Sequence, residues 1–152
     1  MKKLFLLSVI IFVFLSACGS SRDLSNVKTS LYGHWTDEES GAHYYVGDGI
    51  LIQVIKDKVE EKTYKVLEHD EVKNMVKIRE ETESGTVFDR EITFKNDKRE
   101  TAEVMIDASS YKIGKTEFGS EAEKLINERV REANKDNEKK HDWKYIDDKQ
   151  RP

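Results

Sequence analysis

The chain has 152 residues, of which 26 are basic and 30 acidic, with four histidines, one cysteine, one proline and a formal net charge of −4. No basic excess argues for nucleic acid, and a lone cysteine excludes an intramolecular disulfide. Eight glycines and one proline do not make a repeat or low-complexity protein, and the length suits one modest domain.

At the amino terminus Lys2 and Lys3 form a positive region, and residues 4–15 form an apolar run broken only by Ser8. This is a secretory signal pattern. A spanning helix needs roughly 20 apolar residues, more than this run supplies. The run ends Leu15-Ser16-Ala17-Cys18, which closely resembles the lipobox of bacterial lipoproteins. The resemblance covers residues 1–20. It implies that the lipoprotein-processing enzymes join a diacylglyceryl group to the Cys18 thiol, cut between Ala17 and Cys18, and add an N-acyl chain such as palmitate.

Two or more acyl chains hold a protein durably, at about 0.8 kcal/mol per buried methylene, where one chain binds only marginally. The expected location is therefore the extracytoplasmic face of a cell membrane, with Cys18 as the lipidation site. Gly19 after the cysteine leaves outer-membrane sorting open in a two-membrane cell. Cleavage removes the signal peptide, residues 1–17, with Lys2 and Lys3, leaving 24 basic against 30 acidic residues and a net charge of −6. Residues 18–30 read as a lipidated polar tether beginning Gly19-Ser20-Ser21.

Residues 31–134 read as one folded domain. Between Leu31 and Ile113 apolar and polar residues mostly alternate, and turn-forming clusters interrupt the run at intervals typical of an antiparallel all-β domain. The pattern predicts strands near 31–36, 42–46, 49–56, 61–68, 72–80, 86–94, 99–107 and 110–113. Leu31, Gly33 and Trp35 share one face, as do Ile50, Ile52 and Val54; Tyr64 and Val66; Val76 and Ile78; Phe88, Ile92 and Phe94; and Ala102, Val104 and Ile106. A sheet apolar on one side must curl to bury that side, so the expected fold is mainly β, an antiparallel meander forming a small barrel or strongly curved sheet. Leu31-x-Gly33-x-Trp35 on the first strand resembles the opening of small lipocalin-like exported β-barrels.

After the strands, Ser120-Glu121-Ala122-Glu123 has the form of a capping box. It predicts an amphipathic helix running to about Asn134, with Ala122, Leu125, Ile126, Val130 and Ala133 on the stripe facing the β-domain. Residues 135–152 read as a charged tail in which Trp143, Tyr145 and Ile146 are isolated apolar residues.

Candidate chemistry is sparse. If the first hairpin loop is 37–40, Thr36 pairs with Gly41 and His34 stands opposite His43 on the solvent face, where two imidazoles are weak candidates for a metal site. No third ligand is fixed by spacing, so no metal and no cofactor is expected. Glu80 and Glu81 alternate across a strand, and no nucleophile elbow, phosphate loop or zinc-hydrolase motif is present. The expectation is a non-catalytic binding or assembly module whose partner is an envelope protein or a small ligand. Ser40-Gly41-Ala42-His43-Tyr44 is similar to the SGxxY loop of membrane-bound c-type lysozyme inhibitors, which are small β-barrel lipoproteins. That resemblance implies an alternative, a partner-binding loop in which Ser40 and Lys56, with Tyr44, meet the carboxylates of a lysozyme cleft.

Overall fold

The structure is a computed structural model, and it describes residues 22–114, 120–135 and 139–152. The signal peptide and Cys18 lie outside the described residues.

Eight antiparallel strands among the described residues close into a barrel: β1 (Gly33–Asp37), β2 (Ala42–Val46), β3 (Ile50–Ile55), β4 (Lys58–Asp70), β5 (Met75–Thr82), β6 (Val87–Phe94), β7 (Thr101–Lys112) and β8 (His141–Asp147). Neighbours in sequence are neighbours in the barrel, and β8 closes it against β1. A helix, α1 (Ser120–Ala133), lies between β7 and β8 in sequence. No helix among the described residues is long and apolar enough to cross a membrane.

The alternation places Trp35, Val46, Val76, Ile78, Ile92, Ala102 and Val104 in the core, each at most 2% exposed. Trp35 is fully buried; its indole N–H donates to the Leu31 carbonyl at 2.8 Å, and its ring meets Tyr145 edge-on at 5.4 Å. Gly33 has φ +121°, and a Cβ there would stand 2.7 Å from both the Asp147 carbonyl and the Tyr145 ring. Glycine is therefore what lets β8 close over β1.

Four expectations are corrected. The first is the tether: residues 22–30 are docked at the base of the barrel, with Val27 and Ser30 fully buried and a single 3-10 turn at Thr29–Leu31. This strap bonds to all three hairpin turns at that end, through Tyr32 to Asp48 at 3.1 Å, Val27 N–H to Glu71 at 2.7 Å, and Arg99 to the Ser30 hydroxyl at 2.8 Å. The second is the charged tail, which contains β8. Trp143 is 1% exposed and stacks on Tyr44 at 4.1 Å, so the aromatics set among its charges are barrel-facing positions of a strand.

The third is that the segments near 99–107 and 110–113 are one strand, β7, with an irregularity where it passes Val87 and Asp89. There the Ser110 hydroxyl accepts the Asp89 N–H at 2.7 Å in place of a backbone carbonyl. The fourth is that β3 is turned over. Pairing of Val46 with Leu51 and Tyr44 with Gln53 directs Leu51 into the core, and Ile52 lies on the outer side opposite Tyr45. Because β3 is apolar at successive positions, alternation alone leaves its facing ambiguous.

The helix begins and ends where its pattern predicts, but it packs only partly. Ala122, Ile126 and Val130 are half-buried, Leu125 is 52% exposed, and Ala133 is exposed. The Asn127 side chain accepts the Ile113 N–H at 2.8 Å, and Arg131 donates to the Tyr111 carbonyl, tying the helix to β7.

Candidate functional site

The barrel has two unlike ends. The strap seals the base. The opposite end carries the 37–42, 55–58 and 82–87 turns and the connection through α1, and it opens into a cavity of about 360 Å³ lined by Tyr44, Gln53, Lys62, Phe88, Arg90 and Tyr111 among others. That volume lies at the lower end of the range for small-molecule sites.

Three charged side chains project inward at the floor of this mouth. Glu80 is fully buried, Arg90 is 3% exposed and Lys62 is 5% exposed. Arg90 Nε lies 2.5 Å from Glu80 Oε1, its Nη2 donates to Oε2 at 3.3 Å, and Lys62 Nζ stands 3.7 Å from the same carboxylate. Burial works against the charge on Arg90, but Glu80 beside it and the Tyr44 hydroxyl more than offset this, and the guanidinium pKa is raised. Burial is likewise the main reason the Tyr44 hydroxyl pKa is raised. Lys62 also donates to Gln53 Oε1 at 2.7 Å and lies 3.4 Å from Glu60, which is half exposed at the rim.

Aromatic faces surround these cations. The Arg90 guanidinium lies 5.1 Å from the Trp143 ring centre and 5.3 Å from that of Tyr44, and Lys62 Nζ is 5.3 Å from Phe88. Phe88 stacks on Tyr111 at 5.0 Å. The mouth therefore combines apolar ring surface with two buried cations that share one buried carboxylate.

Sequence reasoning did not select these charges, although a signal existed. Lys62 shares strand parity with Tyr64 and Val66, Glu80 with Val76 and Ile78, and Arg90 with Phe88 and Ile92, so each falls on an inward position.

The two histidines are placed differently from the expectation. Gly41 takes φ +69° and belongs to the loop, so Asp37 pairs with Ala42, Thr36 with His43, and His34 with Tyr45. His34 is 9% exposed and stacks on Tyr45 at 4.3 Å rather than standing on an open face. The rings still meet diagonally, with His34 Nε2 and His43 Nδ1 2.9 Å apart and Asp147 3.6 Å from His34 Nδ1. Burial lowers the His34 pKa, Asp147 opposes the shift and His43 adds to it. No group of three or more metal-ligating side chains occurs among the described residues.

The candidate partner-binding loop is also divided by the structure. Ser40 and Lys56 are exposed on turns at the mouth end, but Tyr44 is 7% exposed and points into the barrel. The Ser40 hydroxyl donates to Asp37 at 2.6 Å, and Asp37 also accepts the Glu39 N–H and faces His141 at 3.1 Å. Burial works against the Asp37 charge, yet the Ser40 and backbone hydrogen bonds prevail and its pKa is lowered.

A larger depression of about 640 Å³ runs along the outside by β8. Its charges are matched there, Lys144 with Glu38 at 3.0 Å, Lys140 with Glu103 at 2.6 Å and Lys95 with Asp142 at 2.5 Å, which makes it a solvated ion-pair surface. No family model matches the chain, and comparison with curated proteins and with solved structures finds no match.

Proposed function

We propose that this protein is a lipid-anchored, non-catalytic binding module of the bacterial cell envelope, and that the barrel mouth is its site. The observation that carries the reading is the Lys62–Glu80–Arg90 group inside the barrel. Burying three charges costs several kcal/mol per ion before pairing, and a well-packed apolar core would be at least as stable. Charges kept in a mouth with room beside them are better explained by what they hold than by stability. Arg90 is paired with Glu80, whereas Lys62 is held by Gln53 and the half-exposed Glu60, so an acidic group on the ligand would engage Lys62 by displacing Glu60, with its apolar body against Phe88 and Tyr111.

The test uses 1-anilinonaphthalene-8-sulfonate, which has both features, titrated into the mature protein and its Lys62→Met variant. Saturable one-site binding that weakens in the variant supports the reading. Identical binding in both, or none, removes the mouth as the site.

The lysozyme-inhibitor reading retains one supporting observation, the exposure of Ser40 and Lys56 at the same barrel end. Inhibition of purified c-type lysozyme that is lost in a Ser40→Ala, Lys56→Ala variant would select it over a small-ligand module.

A further inference from the structure

The base of the barrel carries an arrangement that its role as a seal does not require. Arg99 is 7% exposed, has φ +53°, and gathers four partners: the Leu24 carbonyl at 3.1 Å, the Ser30 hydroxyl at 2.8 Å, Asn74 at 3.1 Å and Glu71 at 3.0 Å. It thereby joins the strap to the turns before β5 and before β7. Two large apolar side chains held by this network point outward, Val72 at 95% and Leu24 at 46% exposure. The Val72 turn is braced by Asp70, whose Oδ1 accepts the N–H groups of both Val72 and Lys73. The same two turns expose charges of both signs, Lys73 and Lys98 with Glu71 and Asp97, and Lys73 lies 3.5 Å from Asp70.

Arg22, the first of the described residues, lies at this same end. Arg22 donates to the carbonyls of Ser30 and Arg99, and its guanidinium lies 3.8 Å from the Tyr145 ring centre. Arg22 follows Cys18 by four positions, so covalent geometry allows at most about 14 Å between them.

We propose that the base, with Leu24 and Val72 at its tip, is a membrane-docking surface, so that the protein stands base-down on the leaflet holding its lipid with the barrel mouth opening away from it. The inference rests on the reading of Cys18 as the lipidated residue. Given that anchor, so short a reach brings the base to headgroup depth, where the exposed Leu24 and Val72 side chains are favourably placed, and the mouth is left clear for a ligand arriving from outside.

The test uses the full-length chain, processed in cells, purified and reconstituted in phosphatidylethanolamine–phosphatidylglycerol vesicles. Val72→Cys and Asp57→Cys variants carry a polarity-sensitive fluorophore, one at the base and one at the mouth, and intact mass reports the lipid on Cys18. We expect the label at position 72 to be blue-shifted and quenched by headgroup-depth spin-labelled lipid, and the label at position 57 to behave as in water. Quenching at position 57 equal to or above that at position 72, or at neither position in a protein whose mass shows the lipid, overturns the orientation. Absence of lipid by mass, with dye also on Cys18, overturns the anchor reading and this inference with it.

Discussion

Glu80 and Arg90 meet diagonally across β5 and β6, with Arg90 Nε and Glu80 Oε1 2.5 Å apart and both side chains buried. Each is held in a place where neither would be stable alone. Arg90→Leu leaves the Glu80 carboxylate facing only the more distant Lys62, and we expect it to lower stability by about 3–5 kcal/mol. Adding Glu80→Met to that variant should recover part of the loss, because the stranded carboxylate is removed while Lys62 keeps Gln53 and Glu60 as partners. Urea unfolding of the two variants checks this, and equal losses would show that packing rather than charge dominates the site.

Trp35→Ala should cost about 3–5 kcal/mol, since the ring is fully enclosed by Tyr145, Phe94 and Trp143. Gly33→Ala should cost more than about 1 kcal/mol by a different route, forcing β8 away from a Cβ and imposing a left-handed φ on alanine. Thermal unfolding of each variant reads both effects. A Trp35→Ala protein melting with the parent would mean the indole is not a core anchor.

The depressed pKa of His34 has a definite sign. Its neutral form is favoured in the folded state, so its contribution is present above the ordinary value of 6.5 and is lost as pH falls through the lower folded value. Between pH 6.5 and 5 the melting temperature should therefore decline, and His34→Gln should flatten that decline. An unchanged slope in the variant would assign the pH dependence elsewhere.

Anchoring is tested by Cys18→Ala. With the lipid site removed, neither the lipid nor the cut that follows it should occur, so intact mass should show an unlipidated chain that keeps residues 1–17. A variant that still gains the mass of acyl chains, or is still cut before position 18, would mean that Cys18 is not the lipidated residue.

Much of the fold is legible in the sequence because one-sided burial leaves a period of two: the strands containing Trp35, Val76, Ile78 and Ile92 are found from alternation alone. Errors arise where another force overrides that period. β3 carries apolar residues on both faces, so only its partners fix its direction. In β8, Trp143 and Tyr145 alternate with Asp142, Lys144 and Ile146, and the density of charge hides a barrel-closing strand. The site is less legible, because Lys62, Glu80 and Arg90 look individually like a solvated surface. Their meaning depends on cross-strand neighbours far away in sequence.

Closure by β8 also orders events in time. Lys144 reaches Glu38 across 106 positions, and Trp35 waits for Tyr145 and Trp143 before its cavity is filled. Such long-range pairing makes folding slow, and a chain emerging amino terminus first leaves β1 without its second neighbour until the last segment arrives. A chain stopped before His141 is left with two open edges, β1 and β7, each lacking the strand that lies between them. An unpaired edge is a template for another chain, so the last strand protects every copy from its neighbours as well as completing its own barrel.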